Sequence, residues 1–219
     1  PAVFTFLALI SCESTNTEDI SRITYFNDIE LIGDEITLSP IGTPYQDQGV
    51  IAFEGDTDVT ENVIIDNSVD SNTYGLYTVS YSITNADGFE KSINRTVIVH
   101  PATDSGVDYS GVYTGDTRGE VLPGGCTITK LGPSTYLASD FFGGVYCCGV
   151  RDYGPVYVMP TYFIVSDDNT TFTDLGNDSP WGPWFVTEMA ISGTTISHRV
   201  NADPPPGLGF GFNVTLIKQ

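Results

Sequence analysis

Residues 76–84 read Leu-Tyr-Thr-Val-Ser-Tyr-Ser-Ile-Thr, and no other stretch limits the fold so much. Tyr77, Val79, Tyr81 and Ile83 fall on one face, and Thr78, Ser80, Ser82 and Thr84 on the other. A period of two is that of a half-buried β-strand. Asn85-Ala86-Asp87-Gly88 follows, and its Asp-Gly pair favours a tight hairpin. The chain then returns from Phe89 to His100, where Pro101 stops it. Further strand-like stretches stand upstream at Ile23–Phe26, Glu30–Ile32, Ile36–Leu38 and Val50–Phe53. Short strands spaced by turns predict a sandwich of two sheets over residues 23–101.

Residues 102–108, Ala-Thr-Asp-Ser-Gly-Val-Asp, are small and polar and predict a linker that few contacts hold. A second series of strands begins at Tyr109 and runs to residue 219. Its members are predicted at Gly125–Leu131, Thr135–Ser139, Gly144–Val150, Val156–Val165, Thr171–Asp174, Trp184–Ile191, Thr195–Val200 and Gly207–Lys218. In the last, Phe210, Phe212, Val214 and Leu216 share one face, opposite Gly209, Gly211, Asn213 and Thr215. Glycines between aromatics fit a sharply curved strand of a closing barrel. Runs of helix-favouring residues are missing, while Gly and Pro are frequent at 23 and 13. The chain is predicted to be all-β.

The net charge is −20, with only 8 basic residues. Phosphate backbones need a basic patch, so nucleic acid is excluded as a partner. Asp, Asn, Ser and Thr dominate rather than Lys with Glu, which suits an exported β protein.

Export is also what the first residues suggest. The apolar run Phe4–Ile10 closes on small Ser11 and then Cys12, and the chain turns polar and acidic directly afterwards. Such a run is an h-region, too short to span a bilayer. Leu9-Ile10-Ser11-Cys12 looks like a bacterial lipobox, in which the peptide is cut before the cysteine and the thiol carries lipid. The reading makes residues 1–11 the remnant of a signal peptide whose start is missing, and residues 12–22 a lipidated tether. The alternative is an ordinary secretory signal, or a first strand, with an incidental cysteine.

Two resemblances follow. Tyr45-Gln46-Asp47-Gln48-Gly49-Val50, Gly75-Leu76-Tyr77-Thr78-Val79-Ser80-Tyr81, Asn85-Ala86-Asp87-Gly88 and Arg95-Thr96-Val97-Ile98-Val99 resemble the immunoglobulin-like modules of bacterial surface proteins, over roughly residues 30–100. The family has Asp where Asn85 stands, which puts the hydrogen-bonding or ion role of that turn in question. Asp108–Tyr113, Thr129–Gly132, Asp140–Tyr146, Arg151–Pro155 and the terminal strand resemble the lipocalin-like C-terminal domain of Bacteroidetes surface lipoproteins that sit beside glycan-uptake transporters. This resemblance implies an antiparallel β-barrel over 109–219 and a place at the outer membrane, facing outward.

Catalytic signatures are missing. There is no GxSxG, HExxH or P-loop, and only two histidines, His100 and His198. No zinc spacing occurs, and neither a metal nor a cofactor is expected. Asp167-Asp168-Asn169 and Asn177-Asp178 offer oxygen ligands for Ca²⁺, yet turn chemistry accounts for them equally. Cys126, Cys147 and Cys148 are an odd set once Cys12 is set aside. Adjacent Cys147 and Cys148 point to opposite faces of a strand, so at most one is expected to pair with Cys126; three buried thiols are the alternative.

The aromatic region from Phe141 to Phe185 is the candidate binding surface. Tyr153, Trp181 and Trp184 offer flat apolar faces on which sugar rings stack, with Trp181 in a Pro/Gly loop. Tyr157 and Tyr162 are expected to fill the barrel or plug its end. The sequence therefore predicts a non-catalytic surface protein, held at the outer membrane by lipid on Cys12. It would assist glycan or nutrient capture, with polysaccharide and a neighbouring transporter as partners. The alternative is a structural or adhesive protein without a small ligand: an exposed aromatic platform favours the first, a filled barrel with buried tryptophans the second.

Overall fold

The computed structural model describes residues 23–182, 184–202 and 209–219. Cys12 and the apolar run before it lie outside the described residues. In the N-terminal half the strands are β1 (Asn27–Leu31), β2 (Ile36–Pro40), β3 (Val50–Glu54), β4 (Thr57–Asp58), β5 (Ile64–Asn67), β6 (Gly75–Thr84) and β7 (Glu90–His100). They form a sheet β1-β3-β4 and a sheet β2-β7-β6-β5, with β2 parallel to β7 and the other pairs antiparallel. Val79, Tyr81 and Ile83 of β6 are buried as the alternation requires, in one core with Ile29, Val50 and Ala52 of the facing sheet.

The Tyr-x-Asp-x-Gly and Arg blocks meet in this sandwich. Arg95 is fully buried, and its Nη1 lies 2.6 Å from Asp47 Oδ1. Its Nε donates to Asp34 O, and its Nη2 to Ile32 O and Gly49 O. Tyr81 Oη donates to the same Asp47 oxygen at 2.5 Å. A buried charge is tolerated only when paired and hydrogen-bonded, and this cluster meets that condition. Asn85 keeps the hydrogen-bonding role the substitution had put in question. Its Oδ1 accepts from Asp87 N and Phe89 N, and its Nδ2 donates to Tyr25 O, a bond that an aspartate could not make.

Two expectations shift. Residues 23–26 are irregular, and the first strand starts at Asn27. Strand β5 is missing from the sequence reading because Ile64 and Ile65 are both exposed, so it has no period of two to detect.

The C-terminal half has β8 (Gly111–Thr117), β9 (Glu120–Gly132), β10 (Thr135–Ala138), β11 (Thr161–Val165), β12 (Phe172–Asn177), β13 (Phe185–Ser192), β14 (Thr195–Asn201) and β15 (Gly211–Lys218). They form one antiparallel sheet in the order β12-β11-β10-β9-β8-β15-β14-β13, curled into a nearly closed barrel. Between β12 and β13 side chains and chain ends replace the ladder. Asn177 bonds both backbone groups of Trp184, at 2.8 and 2.9 Å. At the other end Ile191 N donates to Thr170 O and Thr171 Oγ1 to Met189 O.

The barrel is filled. Residues 140–148, predicted in part as a strand over Gly144–Val150, are instead a tight run of turns that plugs it. Asp140 anchors the plug by accepting Phe142 N and Met159 N on Oδ1 and Gly144 N on Oδ2. Phe141 stacks on His198 with centroids 4.4 Å apart and packs on Phe163 and Phe172. His198 Nε2 is 2.9 Å from Phe141 O. The wall admits the plug because glycine faces glycine. A β-carbon on Gly115 or Gly125 would stand 2.1 or 2.3 Å from Gly143 O.

The plug also corrects the cysteine expectation. Cys147 and Cys148 are bonded to each other, and Cys126 is a buried free thiol. Because 147–148 is a turn and not a strand, the opposite-face argument does not apply. Residues 156–160 are likewise irregular, and that strand begins at Thr161. The 102–108 segment is held rather than free. Ser105 N donates to Ser134 Oγ, Asn169 Nδ2 to Ser105 O, Tyr136 Oη to Val107 O, and Lys130 pairs with Asp104.

Candidate functional site

The plug leaves a cleft of about 490 Å³ at one end of the barrel. Four segments meet there. The β8–β9 hairpin brings Arg118, the plug brings Tyr146, the loop after it brings Arg151 and Tyr153, and the β12–β13 loop brings Trp181 and Trp184. Ala202 and Phe210, at the ends of β14 and β15, complete the lining.

Each ring is placed by identifiable local structure. Ser179-Pro180-Trp181-Gly182 is a turn closed by Gly182 N to Ser179 O, with Gly182 at φ +88°. Ser179 Oγ also donates to Gly182 O and accepts Trp181 N, which fixes the loop from inside. Trp181 stands 47% exposed, with its ring edge-on to Tyr146 at 5.0 Å and near Tyr157 at 5.2 Å. Trp184 is 7% exposed and forms the floor, against Phe142 at 4.9 Å and Phe210 at 6.0 Å. Tyr153, 49% exposed, lies nearly parallel to Tyr146. Phe210, predicted in the terminal strand, stands before it and is 51% exposed.

Arg118 occupies a position that costs an ordinary residue some strain. It and Gly119 are the central pair of the hairpin, at φ +53° and +83°. Two-residue hairpins favour such values at both positions, usually with Asn and Gly. The guanidinium lies 5.1 Å from the Phe210 ring and 5.2 Å from Phe212, and Nη1 donates to Tyr146 Oη. Arg151 is fully exposed, and its hydrogen bond with Tyr153 holds its charged form.

Thus the structure brings Tyr153, Trp181 and Trp184 together. Arg118, Tyr146, Arg151 and Phe210 were not singled out in the sequence as binding residues. Arg118 has one local signal, an arginine-glycine pair where two strands turn. Tyr157 is half-buried against the core and the back of Trp181. Tyr162 does not fill the barrel. It lies on the outer face of the wall, in a separate cleft with Leu76.

The remaining polar candidates are structural. Burial pushes the Cys126 thiol up to about 12, so it is no nucleophile at neutral pH. Burial lowers His198 to about 4 and raises Asp140 to about 6. Both serve the plug beneath the cleft. Asp168 caps its own turn through Ser166, Thr170 N and Thr170 Oγ1. No group of His, Cys, Asp and Glu able to hold a metal occurs among the described residues.

Comparison with known proteins fits this architecture. Residues 29–99 match the model of the bacterial surface protein Ig-like domain, and residues 102–218 match a family model described as a C-terminal domain. A solved structure, the lipoprotein BT2262 from Bacteroides thetaiotaomicron, is 30% identical. The match covers 89% of this chain and 100% of that one, with a TM-score of 0.46. A second solved structure, the CBM51-2 and INT domains of ZmpB from Clostridium perfringens with GlcNAc, is 16% identical with a TM-score of 0.31. It covers 78% of this chain and 29% of that one, and nothing about this chain follows from so slight a likeness. No curated protein matches. The fold and the two family models define a two-domain β protein of the bacterial surface type. The chain belongs to the family of that C-terminal domain, which here follows a bacterial surface Ig-like domain. Neither family model describes an enzyme.

Proposed function

We propose that this protein is a non-catalytic accessory for glycan capture, lipid-anchored through Cys12 on the outer face of the outer membrane, beside a transporter. The observation that carries the reading is the aromatic cleft. Trp181, Tyr153 and Phe210 are each about half exposed at one end of a barrel whose interior is full. Soluble proteins seldom leave such rings grouped at the surface without a use for them. A sugar ring has apolar C–H faces, and stacking on a fixed indole adds about 1 kcal/mol beyond burial, by analogy with aromatic pairs. Single-site affinity is therefore weak, and useful retention comes from several copies or from the transporter's own site. The full barrel interior is what a purely structural or adhesive protein would also have, and it makes that the second reading. The similarity to a solved lipoprotein supports the anchor.

Trp181→Ala tests the cleft. We expect weaker retention on polysaccharide gels with a fall of only a few degrees in Tm, because the ring is half in water. Trp184→Ala removes a buried floor and should cost about 3–5 kcal/mol. If no polysaccharide retards the wild type, the structural reading takes over.

A further inference from the structure

The chain has 28 acidic residues and 8 basic ones, yet among the described residues the cleft is lined by two arginines and no carboxylate. The other described cations are engaged elsewhere. Arg95, Lys91 and Lys130 pair with Asp47, Asp28 and Asp104, Arg199 bonds Asn201 and Asn213, and Lys218 bonds Asp108 O. Among the described residues, Arg118 and Arg151 form no ion pair. Glu120, whose charge reaches Arg151, accepts Val150 N at 2.8 Å on Oε2.

We infer that the cleft selects acidic glycans, whose sugar rings carry carboxylates for Arg118 and Arg151 and apolar faces for Trp181 and Tyr153. The inference rests on the reading of the cleft as a glycan site and adds its charge class. A guanidinium has five donors, and Arg118 uses one on Tyr146 Oη while its plane is held by Phe210 and Phe212. A fork fixed in this way suits a carboxylate, with which arginine makes paired hydrogen bonds. The same arginine occupies a left-handed backbone position where asparagine or glycine would sit more easily. The overall charge of −20 repels an anion at long range, but at physiological salt that field is screened within about 8 Å. Over the last few ångströms the two arginines decide.

The two tryptophans report binding by fluorescence, and one sits at the cleft mouth while the other forms its floor. The full chain is titrated with an oligogalacturonate, with the same oligosaccharide methyl-esterified, and with an oligoglutamate peptide. The acid should bind about tenfold more tightly than the ester, and added salt should weaken only the acid. Arg151→Gln, at a fully exposed side chain, should keep its Tm and lose about three- to tenfold more of the acid's affinity than of the ester's. Arg118→Lys keeps a charge but not the fork, and should also reduce the preference. Equal binding of acid and ester, or indifference to both substitutions, overturns the inference and leaves the glycan reading standing. Binding of neither sugar overturns both. An oligoglutamate that binds as tightly as the oligogalacturonate overturns the sugar and assigns the arginines to acidic peptides.

Discussion

Asp140 and His198 both hold the plug, Asp140 through the N–H groups of Phe142, Gly144 and Met159 and His198 against Phe141, and they respond to acid in opposite directions. Asp140 is raised from 3.8 to about 6, so the folded state takes up its proton before the unfolded state does. Its contribution to stability therefore grows as pH falls from about 6 to about 4. His198 is lowered from 6.5 to about 4, so the unfolded chain is protonated first. Its contribution is lost as pH falls through the same window. Each amounts to about 3 kcal/mol in full, so they nearly cancel between pH 6.5 and 4. Replacing the histidine by a residue that does not titrate exposes the other half. His198→Gln should cost stability at pH 7, and its deficit against wild type should shrink by about 3 kcal/mol on going to pH 4. Denaturant melts at four or five pH values measure this, and a deficit independent of pH would refute it. Asp140→Asn makes a separate point. The amide keeps the two bonds of Oδ1 but turns an N–H₂ toward Gly144 N, and leaving those donors unmet costs about 1–3 kcal/mol.

At the scale of the element, the plug at 140–148 explains both what the sequence made legible and what it hid. Strands with a period of two were readable. β6 and β15, read from alternation, and β7 and β14 lie within a few residues of where they were expected, and the hairpin at Asn85–Gly88 is where its Asp-Gly pair indicated. The plug gave no such signal. Phe141, Phe142, Val145 and Tyr146 are all buried, so their run of apolar residues reads equally as a strand. Only Gly143-Gly144 marked a turn, and the glycines they meet, Gly115 and Gly125, are far away in sequence. Trp181, Trp184 and Tyr153 were legible as candidates because aromatics in Pro/Gly loops have a chemical use. Arg118 was not, since its place depends on which strand ends meet Phe210. Gly125→Ala tests the packing between plug and wall. Its β-carbon would overlap Gly143 O, so the variant should lose several degrees of Tm and also weaken the cleft, which Tyr146 helps to line. The plug also fixes the thiol count. With Cys147 and Cys148 bonded to each other, alkylation of the unreduced, denatured protein should label Cys126 alone among the three. Three labels would mean that the bond does not form.

For the whole molecule, the join between the halves is a part of the barrel more than a hinge. Residues 102–108 have the small polar composition of a linker, and that composition predicted a free segment. Composition does not register backbone bonds, however, and here the barrel supplies the partners. Ser134 Oγ and Asn169 Nδ2 hold both backbone groups of Ser105, and Tyr136 Oη holds Val107 O. Val107 packs on the barrel core, and the exposed Asp104–Lys130 pair adds little. The halves also touch directly. Leu38 approaches Gly132, and Leu76 approaches Gly176, so closely that a β-carbon on either glycine would stand under 3 Å from the leucine. Two C-terminal fragments measure what the segment contributes, one of residues 102–219 and one of residues 109–219. Three hydrogen bonds at about 0.5–1.5 kcal/mol each and the partial burial of Val107 at about 1 kcal/mol, less about 1–2 kcal/mol for each of the two residues they order, leave a difference of about 1 kcal/mol. The longer fragment should thus melt several degrees higher, and in the intact chain proteases should spare 102–108. Equal melting temperatures, or cleavage within 102–108 that leaves both halves folded, would return the segment to the linker its composition suggests.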